Sequence, residues 1–305
     1  MEDTEKEEEL ISSDNEKSNS SSKLIAFIII ACFILSIALL IIAIIVYLSK
    51  DKSLSELEVY KKYEKQEKIK LGDDRIVYKA KNKETNETVA IKEIKLKTTE
   101  IRNEVENDIN FMKASRFLTK YPLDLIEVFE QRSTKFIVTE YYEEDLSIAL
   151  NKTENGFDIN FVKGIINYIN QILKYFRNNN VVFNNIKLEN ILVVRKEDNS
   201  TMIKLSDFSK SKLVINDTNS NKKYRWGITP VFGDINEEKQ DLYDIGREMY
   251  RMLFKETGKK NEEMIKEIEK LNNTDLSDLM RKLLVEDAKE RISWDDYFNH
   301  TFFYL

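Results

Sequence analysis

The hydrophobic and polar positions of the chain change pattern several times from its beginning to its end. Residues 24–48 are 25 consecutive residues without a charge. At about 1.5 Å per residue, a helix of this length reaches roughly 37 Å, enough to cross a hydrocarbon core of about 30 Å. The segment before it is acidic and no clear small-residue cleavage site follows, which argues against a signal peptide. The run therefore predicts a transmembrane helix.

The charges on either side of this run predict its orientation. Three lysines precede it within about twenty residues, and six lysines follow it between residues 50 and 68. This bias places the large C-terminal part in the cytosol. Residues 1–23, acidic and rich in serine, predict a disordered tail on the far side, and residues 49–68 predict a charged helical linker.

Beyond the linker the pattern changes to that of strands and then of helices. Residues 74–80 and 88–94 are two short β-type runs on either side of a polar turn, which predicts a hairpin. In residues 158–180 the apolar residues recur at helical spacing, namely Phe161, Ile165, Ile169, Ile172, Leu173 and Phe176. That stripe predicts a helix with one buried face.

Composition limits the chemistry that the chain can perform. A hydrophobic fraction of 42% allows a folded core, and a net charge of −6 gives no sign of nucleic-acid binding. Cys32 and His300 are the single residues of their types, which excludes disulfide frameworks, Cys/His zinc sites and histidine-based triads. Carboxylates, lysines, amides and hydroxyls remain.

Three short motifs then follow in one order: VAIK at Val89–Lys92, FNNIKLEN at Phe183–Asn190 and SDFS at Ser206–Ser209. In order and interval they resemble the protein kinase family from about residue 69 to residue 305, and Lys187 resembles the serine/threonine branch. The resemblance implies an α+β, bilobal fold preceded by the transmembrane helix. A small β-rich N-lobe is expected over about residues 69–142 and a larger helical C-lobe over about residues 143–305.

The same resemblance implies an ATP and Mg²⁺ site. Lys92 is expected to pair with an acidic residue of the helix over residues 103–115, either Asp108 or Glu104 one turn earlier. Asn190 and Asp207 take the positions of the metal ligands. The remaining implied contacts are the loop residue Gly72, the adenine-facing Val77, Ala90 and Leu192, the gatekeeper Thr139, and the hinge residues Glu140 and Tyr142.

Two positions depart from the family in the chemistry they offer. Asn185 stands where the family has its catalytic aspartate, and an amide lacks the basicity to take a hydroxyl proton. Loss of such a base costs about 10²–10⁴ in rate. The loop near Gly72 has lost its other glycines and about two residues of length. Its carboxylates, Asp73 and Asp74, are expected to oppose phosphate binding.

The packing positions, by contrast, keep their apolar character. By resemblance Phe183 replaces the histidine of a buried stack that links the lobes, and its expected companions are Met112, Phe208 and a residue near Leu125. Replacing histidine by phenylalanine keeps the ring and removes a polar group that needs a partner. The framework is therefore expected to persist although the chemistry does not.

Three functions fit these residues. The first is a membrane-anchored pseudokinase, a cytosolic scaffold or allosteric signalling partner for another kinase or its substrate. The alternative is a divergent active serine/threonine kinase that transfers the γ-phosphate of ATP to protein hydroxyls without a strong base. The third is a switch that binds ATP without hydrolysing it.

Overall fold

The computed structural model describes residues 33, 35–46, 57–115, 123–195, 201–215, 231–232 and 238–304. These residues divide into two compact units with their boundary between Lys62 and Tyr63. In the first unit residues 35–46 are helical with exposed apolar side chains, and a short helix spans Glu58–Lys62. Within the part of the chain that the structure describes, no helix combines the length and the apolar character that crossing a membrane requires. Residues 24–32, 34 and 47–48 of the predicted span lie outside the described residues.

The second unit begins with a five-stranded antiparallel sheet in the order β1-β2-β3-β5-β4. Its strands are β1 (Tyr63–Leu71), β2 (Arg75–Asn82), β3 (Thr88–Lys95), β4 (Leu125–Gln131) and β5 (Thr134–Glu140). Helix α1 (Thr99–Ser115) lies between β3 and β4 in sequence. The predicted hairpin is present as β2 and β3. In β3, Val89 and Ile91 are buried on one face of the sheet, and Ile94 is buried on the other, against the core that joins the lobes.

The sheet starts earlier than the sequence pattern indicates. Residues 63–68, predicted as part of the linker, belong to β1 and pair with β2. The prediction was wrong here because β1 is an edge strand: Tyr63 is buried, but Glu64 and residues 66–70 are exposed. An edge strand that buries so little of its length shows no apolar alternation.

The rest of this unit is mainly helical, so the predicted bilobal arrangement is confirmed. The predicted buried stripe is present in the helix Ile159–Asn178, except that Phe161 in its first turn is 38% exposed. Asp158 caps that helix by accepting hydrogen bonds from two backbone N–H groups. The helices are α2 (Leu146–Asn151), α3 (Ile159–Asn178), α4 (Gln240–Phe254), α5 (Asn261–Glu269), α6 (Thr274–Leu283) and α7 (Trp294–Phe298).

Two small sheets hold the segments that carry the motifs, in the orders β6-β8-β9 and β11-β10-β7. Residues 183–190 connect β7 to β8, and residues 206–211 connect β9 to β10. The strands are β6 (Glu144–Asp145), β7 (Val181–Val182), β8 (Ile191–Arg195), β9 (Thr201–Leu205), β10 (Lys212–Ile215) and β11 (Val231–Phe232). Because β8 pairs directly with β9, the two motif loops lie side by side.

The core that joins the lobes contains the predicted aromatic stack. Phe183 and Phe208 are fully buried, with ring centroids 5.3 Å apart and an interplanar angle of 69°. Met112 and Leu125 are buried in the same cluster. Phe111, which was not among the predicted members of this stack, stacks on Phe208 with ring centroids 6.3 Å apart. The prediction that the framework keeps its apolar packing is confirmed.

Candidate nucleotide site

A cavity of about 420 Å³ lies between the five-stranded sheet and the helical lobe. Its volume is within the range of small-molecule sites, about 300–1,000 Å³. It brings together most of the residues predicted for the nucleotide: Gly72, Val77, Ala90, Lys92, Asp108, Thr139, Glu140, Tyr142, Lys187, Asn190, Leu192 and Asp207. Asn185 does not line it.

Lys92 pairs with Asp108, the first of the two predicted candidates. The Lys92 Nζ lies 2.8 Å from Asp108 Oδ2, and the other carboxylate oxygen accepts a hydrogen bond from the Phe208 backbone N–H. Glu104 pairs with Arg75 instead. Burial acts to lower the pKa of Lys92, but the charges of Asp108 and Asp207 outweigh it and raise that pKa. Lys92 therefore remains a cation inside the cleft.

Asp207 has the character of a metal ligand. Burial acts to raise its pKa, but the charge of Lys92 and a hydrogen bond from Ser209 hold that pKa below its ordinary value. Its Oδ1 is buried and has no hydrogen-bond partner, although the Lys92 Nζ lies 3.5 Å away. An ionised oxygen left without a partner suits a divalent cation.

The side chains at this point fit Mg²⁺ carried in with a nucleotide. Asn190 lines the cavity with Asp207, so a carboxylate and an amide are available. Among the residues that the structure describes, no cluster of three or more His, Cys, Asp or Glu side chains could form a complete metal cage. Mg²⁺ commonly binds through one or two protein oxygens with phosphates and water completing its shell. Bound there, the ion would neutralise phosphate charge.

Asn185 is held as a structural bridge. Its side-chain Nδ2 donates to the Asp207 carbonyl at 2.8 Å, and its own carbonyl accepts from Asn190 Nδ2 at 2.9 Å. The Asp241 carboxylate accepts hydrogen bonds from the backbone N–H groups of Phe183 and Asn184, at 2.9 and 2.8 Å. The Asn185 side chain thus links the loop of residues 183–190 to the segment that carries Asp207 by donating a hydrogen bond.

Three carboxylates that contact this loop or its neighbours are engaged elsewhere. Burial and the charge of Asp244 raise the pKa of Asp241 to about 7, but that side chain is only 1% exposed and cannot reach a substrate. Glu189 pairs with Arg251 at 2.6 Å. Glu248 accepts from the Leu188 backbone N–H at 3.0 Å. Asp241 and Glu248 do not line the cavity, whereas Glu189 lines it but is held by Arg251.

Asp73 and Asp74, which are expected to oppose phosphate binding, lie outside the cavity lining. Gly72 N–H donates to the Arg75 carbonyl at 2.8 Å, so Asp73 and Asp74 are the two central residues of the β1–β2 turn. Asp74 pairs with Lys97 at 2.5 Å, and neither aspartate lines the cavity. Arg75, the first residue of β2, does line it. The signal was available in the sequence, since Arg75 and the predicted Val77 are two residues apart and share one face of a strand.

Lys204 was also missed, and it fixes the hinge. Its Nζ donates to Glu140 Oε2 at 2.5 Å and to Asp124 Oδ2 at 3.0 Å. The Tyr142 hydroxyl donates to the same Glu140 oxygen at 2.7 Å. Burial, and to a smaller extent this hydrogen bond, raises the pKa of Tyr142 to about 12. Lys204 is predicted by no motif, because its role depends on β9 lying behind the hinge.

Lys70 joins the lobes at the cavity. Its Nζ donates to the Glu189 carbonyl at 3.2 Å and lies 3.6 Å from Asp145 Oδ2. Because β1 belongs to the sheet and both partners belong to the helical lobe, this contact holds the two sides of the cleft together. Lys70 is 52% exposed, so water screens the interaction.

Known proteins with similar sequences agree with this geometry. The chain matches the protein kinase domain over residues 63–303. It is similar to cyclin-dependent kinase-like 4 of Mus musculus, with 30% identity over 50% of this chain and 44% of that protein. Cyclin-dependent kinase-like 5 of Homo sapiens shares 30% identity over 56% of this chain and 18% of that protein. Cyclin-dependent kinase-like 1 of Caenorhabditis elegans shares 28% identity over 61% of this chain and 53% of that protein.

The matched segment is less than two thirds of the length of each of these relatives. The domain match, however, covers well over half of this chain's 305 residues and includes both motif loops and the cavity. The chain therefore belongs to the protein kinase domain family.

Proposed function

We propose that this chain is a pseudokinase, which binds ATP with Mg²⁺ but does not transfer its phosphate at an appreciable rate. One observation carries the proposal: the Asn185 side chain donates its N–H to the Asp207 carbonyl, at the position where the family has a base. The lone pair of an amide nitrogen is delocalised into its carbonyl group, so the nitrogen does not take up a hydroxyl proton. The acceptor hydroxyl is therefore left without a base.

The nucleotide side of the site supports binding. Lys92 and Asp108 form an ion pair, and Asp207 is ionised. The apolar side chains that line the cavity for the adenine ring are Val77, Ala90 and Leu192. Phosphoryl transfer also needs the acceptor to be positioned and activated, and a lost base costs about 10²–10⁴ in rate. Binding and turnover are thus expected to separate.

The full chain, purified in mild detergent, is expected to melt at higher temperature with Mg²⁺ and ATP, because a ligand of the folded state stabilises it. Lys92→Ala should abolish that shift, whereas Lys95→Ala, an exposed lysine on the same strand, should keep it. Phosphate transfer should equal that of Asp207→Ala. Robust transfer that depends on Asp207 contradicts the pseudokinase assignment, and no thermal shift contradicts nucleotide binding.

The second candidate is a divergent active serine/threonine kinase. The observation that favours it is the retained set of Lys92, Asp108, Asn190 and Asp207 around one cavity. Electrostatic stabilisation supplies much of the catalysis of phosphoryl transfer, so these groups alone support slow turnover. The transfer assay above separates the two candidates.

We also propose that the chain is a single-pass membrane protein whose kinase-like domain presents a cytosolic binding surface to another kinase or its substrate. The uncharged run, the lysine bias and the exposed apolar helix of residues 35–46 support this arrangement. The chain should sediment with membranes at high pH, with residues 63–305 open to protease from the cytosolic side. Recovery in the soluble fraction contradicts it.

A further inference from the structure

The β1–β2 turn uses its own backbone donor to close itself. Gly72 N–H donates to the Arg75 carbonyl, and a Cβ at position 72 would lie 3.2 Å from that oxygen. In the kinase family the glycine-rich loop covers the phosphates of the nucleotide. Here the Gly72 amide is committed to the hairpin, so the phosphate end of the cavity needs another donor.

Arg75 lies in the place where such a donor is needed. Its side chain lines the cavity with Lys92 and Asp207, and its guanidinium pairs with Glu104 on α1. The carboxylate of Asp74 is turned to Lys97 outside the cavity. The charge that the shortened turn presents to the cavity is therefore positive.

Three cations of the cavity lining act on Asp207. The cations Arg75, Lys92 and Lys187 all act on Asp207 and help to lower its pKa. The carboxylates of Asp108 and Asp207 contact Lys92, and five further acidic residues line the cavity, namely Glu140, Glu143, Glu144, Asp145 and Glu189. The attraction for polyphosphate is therefore local to the three cations and does not come from the cavity as a whole.

We propose that Arg75 is a phosphate-binding side chain, which contacts the phosphates of the nucleotide in place of the missing glycine-loop amides. In the free protein it rests on Glu104, and the nucleotide takes the place of that carboxylate. A guanidinium binds phosphate through two parallel N–H donors. Glu104 is 42% exposed, so water solvates it when Arg75 leaves. This inference rests on the proposed binding of nucleotide.

The test measures the affinities of adenosine, AMP, ADP and ATP by calorimetry, with Mg²⁺ and the full chain in detergent. Arg75→Ala is expected to weaken the binding of ATP and ADP by roughly 10- to 100-fold, the range for charge-assisted hydrogen bonds, and to leave the affinity for adenosine unchanged. Glu104→Gln should strengthen ATP binding, since it removes the competing carboxylate. The matched control is Arg102→Ala, an exposed arginine of α1 that pairs with Glu130 at 2.9 Å; it should change no affinity.

Two results overturn the inference. One is an ATP affinity that is the same with and without Arg75, which leaves nucleotide binding itself intact. The other is an equal loss of affinity for adenosine and ATP in Arg75→Ala, which shows that Arg75 supports the cavity as a whole and does not act on the phosphates. Failure of the unmodified chain to bind any of the four ligands removes the proposed nucleotide binding as well, so the two failures are distinguishable.

Discussion

Asn185→Asp raises phosphate transfer by about 10²–10⁴ over the unmodified chain, if the absence of a base is what silences it. A carboxylate at this position cannot donate to the Asp207 carbonyl, which the Asn185 amide now does at 2.8 Å. Repulsion between the two oxygens turns the new side chain away from that carbonyl and makes it available to an acceptor hydroxyl. The assay follows transfer from radiolabelled ATP to a generic protein substrate.

The gain must depend on the metal-ligand position. Asn185→Asp combined with Asp207→Ala should return to background, because the phosphate then loses its Mg²⁺ ligand. Asn185→Ala provides the matched control, since it also removes the amide bridge but supplies no base. A gain of the same size in Asn185→Ala contradicts the argument, as does an Asn185→Asp protein no faster than the unmodified chain.

Phe183→Ala lowers the free energy of unfolding by about 3–5 kcal/mol, the cost of removing a buried aromatic ring. The Phe183 ring is fully buried and lies 5.3 Å from Phe208 and 6.3 Å from Phe176. Its removal leaves a cavity in the cluster that joins the lobes. Chemical denaturation of the full chain, followed by circular dichroism, measures the loss.

Phe161→Ala is the matched control, because that ring lies on α3 but is 38% exposed. It should change the free energy of unfolding by about 1 kcal/mol or less. Equal losses in the two variants would show that Phe183 contributes no more than a surface ring, and the claim that the apolar framework carries the fold would be withdrawn.

The sequence predicted the parts of the structure that depend on local patterns, which are the buried face of a helix and the residues of the motifs. In α3 the apolar spacing alone identifies the buried face, since a helix of that length needs one stripe against the core. Lys92 and Asp207 were placed through motifs whose local strand and loop geometry recurs in the family. Lys92 lies on β3, which pairs with β5, and Asp207 follows β9, which pairs with β8, so the order of the motifs was enough to bring them together.

What the sequence left open depends on tertiary contacts. Asp108 and Glu104 lie about one turn apart on α1, and only the bond from Phe208 N–H to Asp108 and the pairing of Glu104 with Arg75 separate their roles. Similarly, no pattern in the sequence indicates that Lys97 pairs with Asp74. No local pattern records which side chain crosses from a neighbouring element.

The most direct test of the central claim is a crystal structure of the chain with Mg²⁺ and a non-hydrolysable ATP analogue. The account predicts that Asn185 Nδ2 still donates to the Asp207 carbonyl. It also predicts that no carboxylate lies within about 3.2 Å of the point from which an acceptor hydroxyl attacks the γ-phosphate. An acidic side chain at that point, from any segment of the chain, would contradict the account.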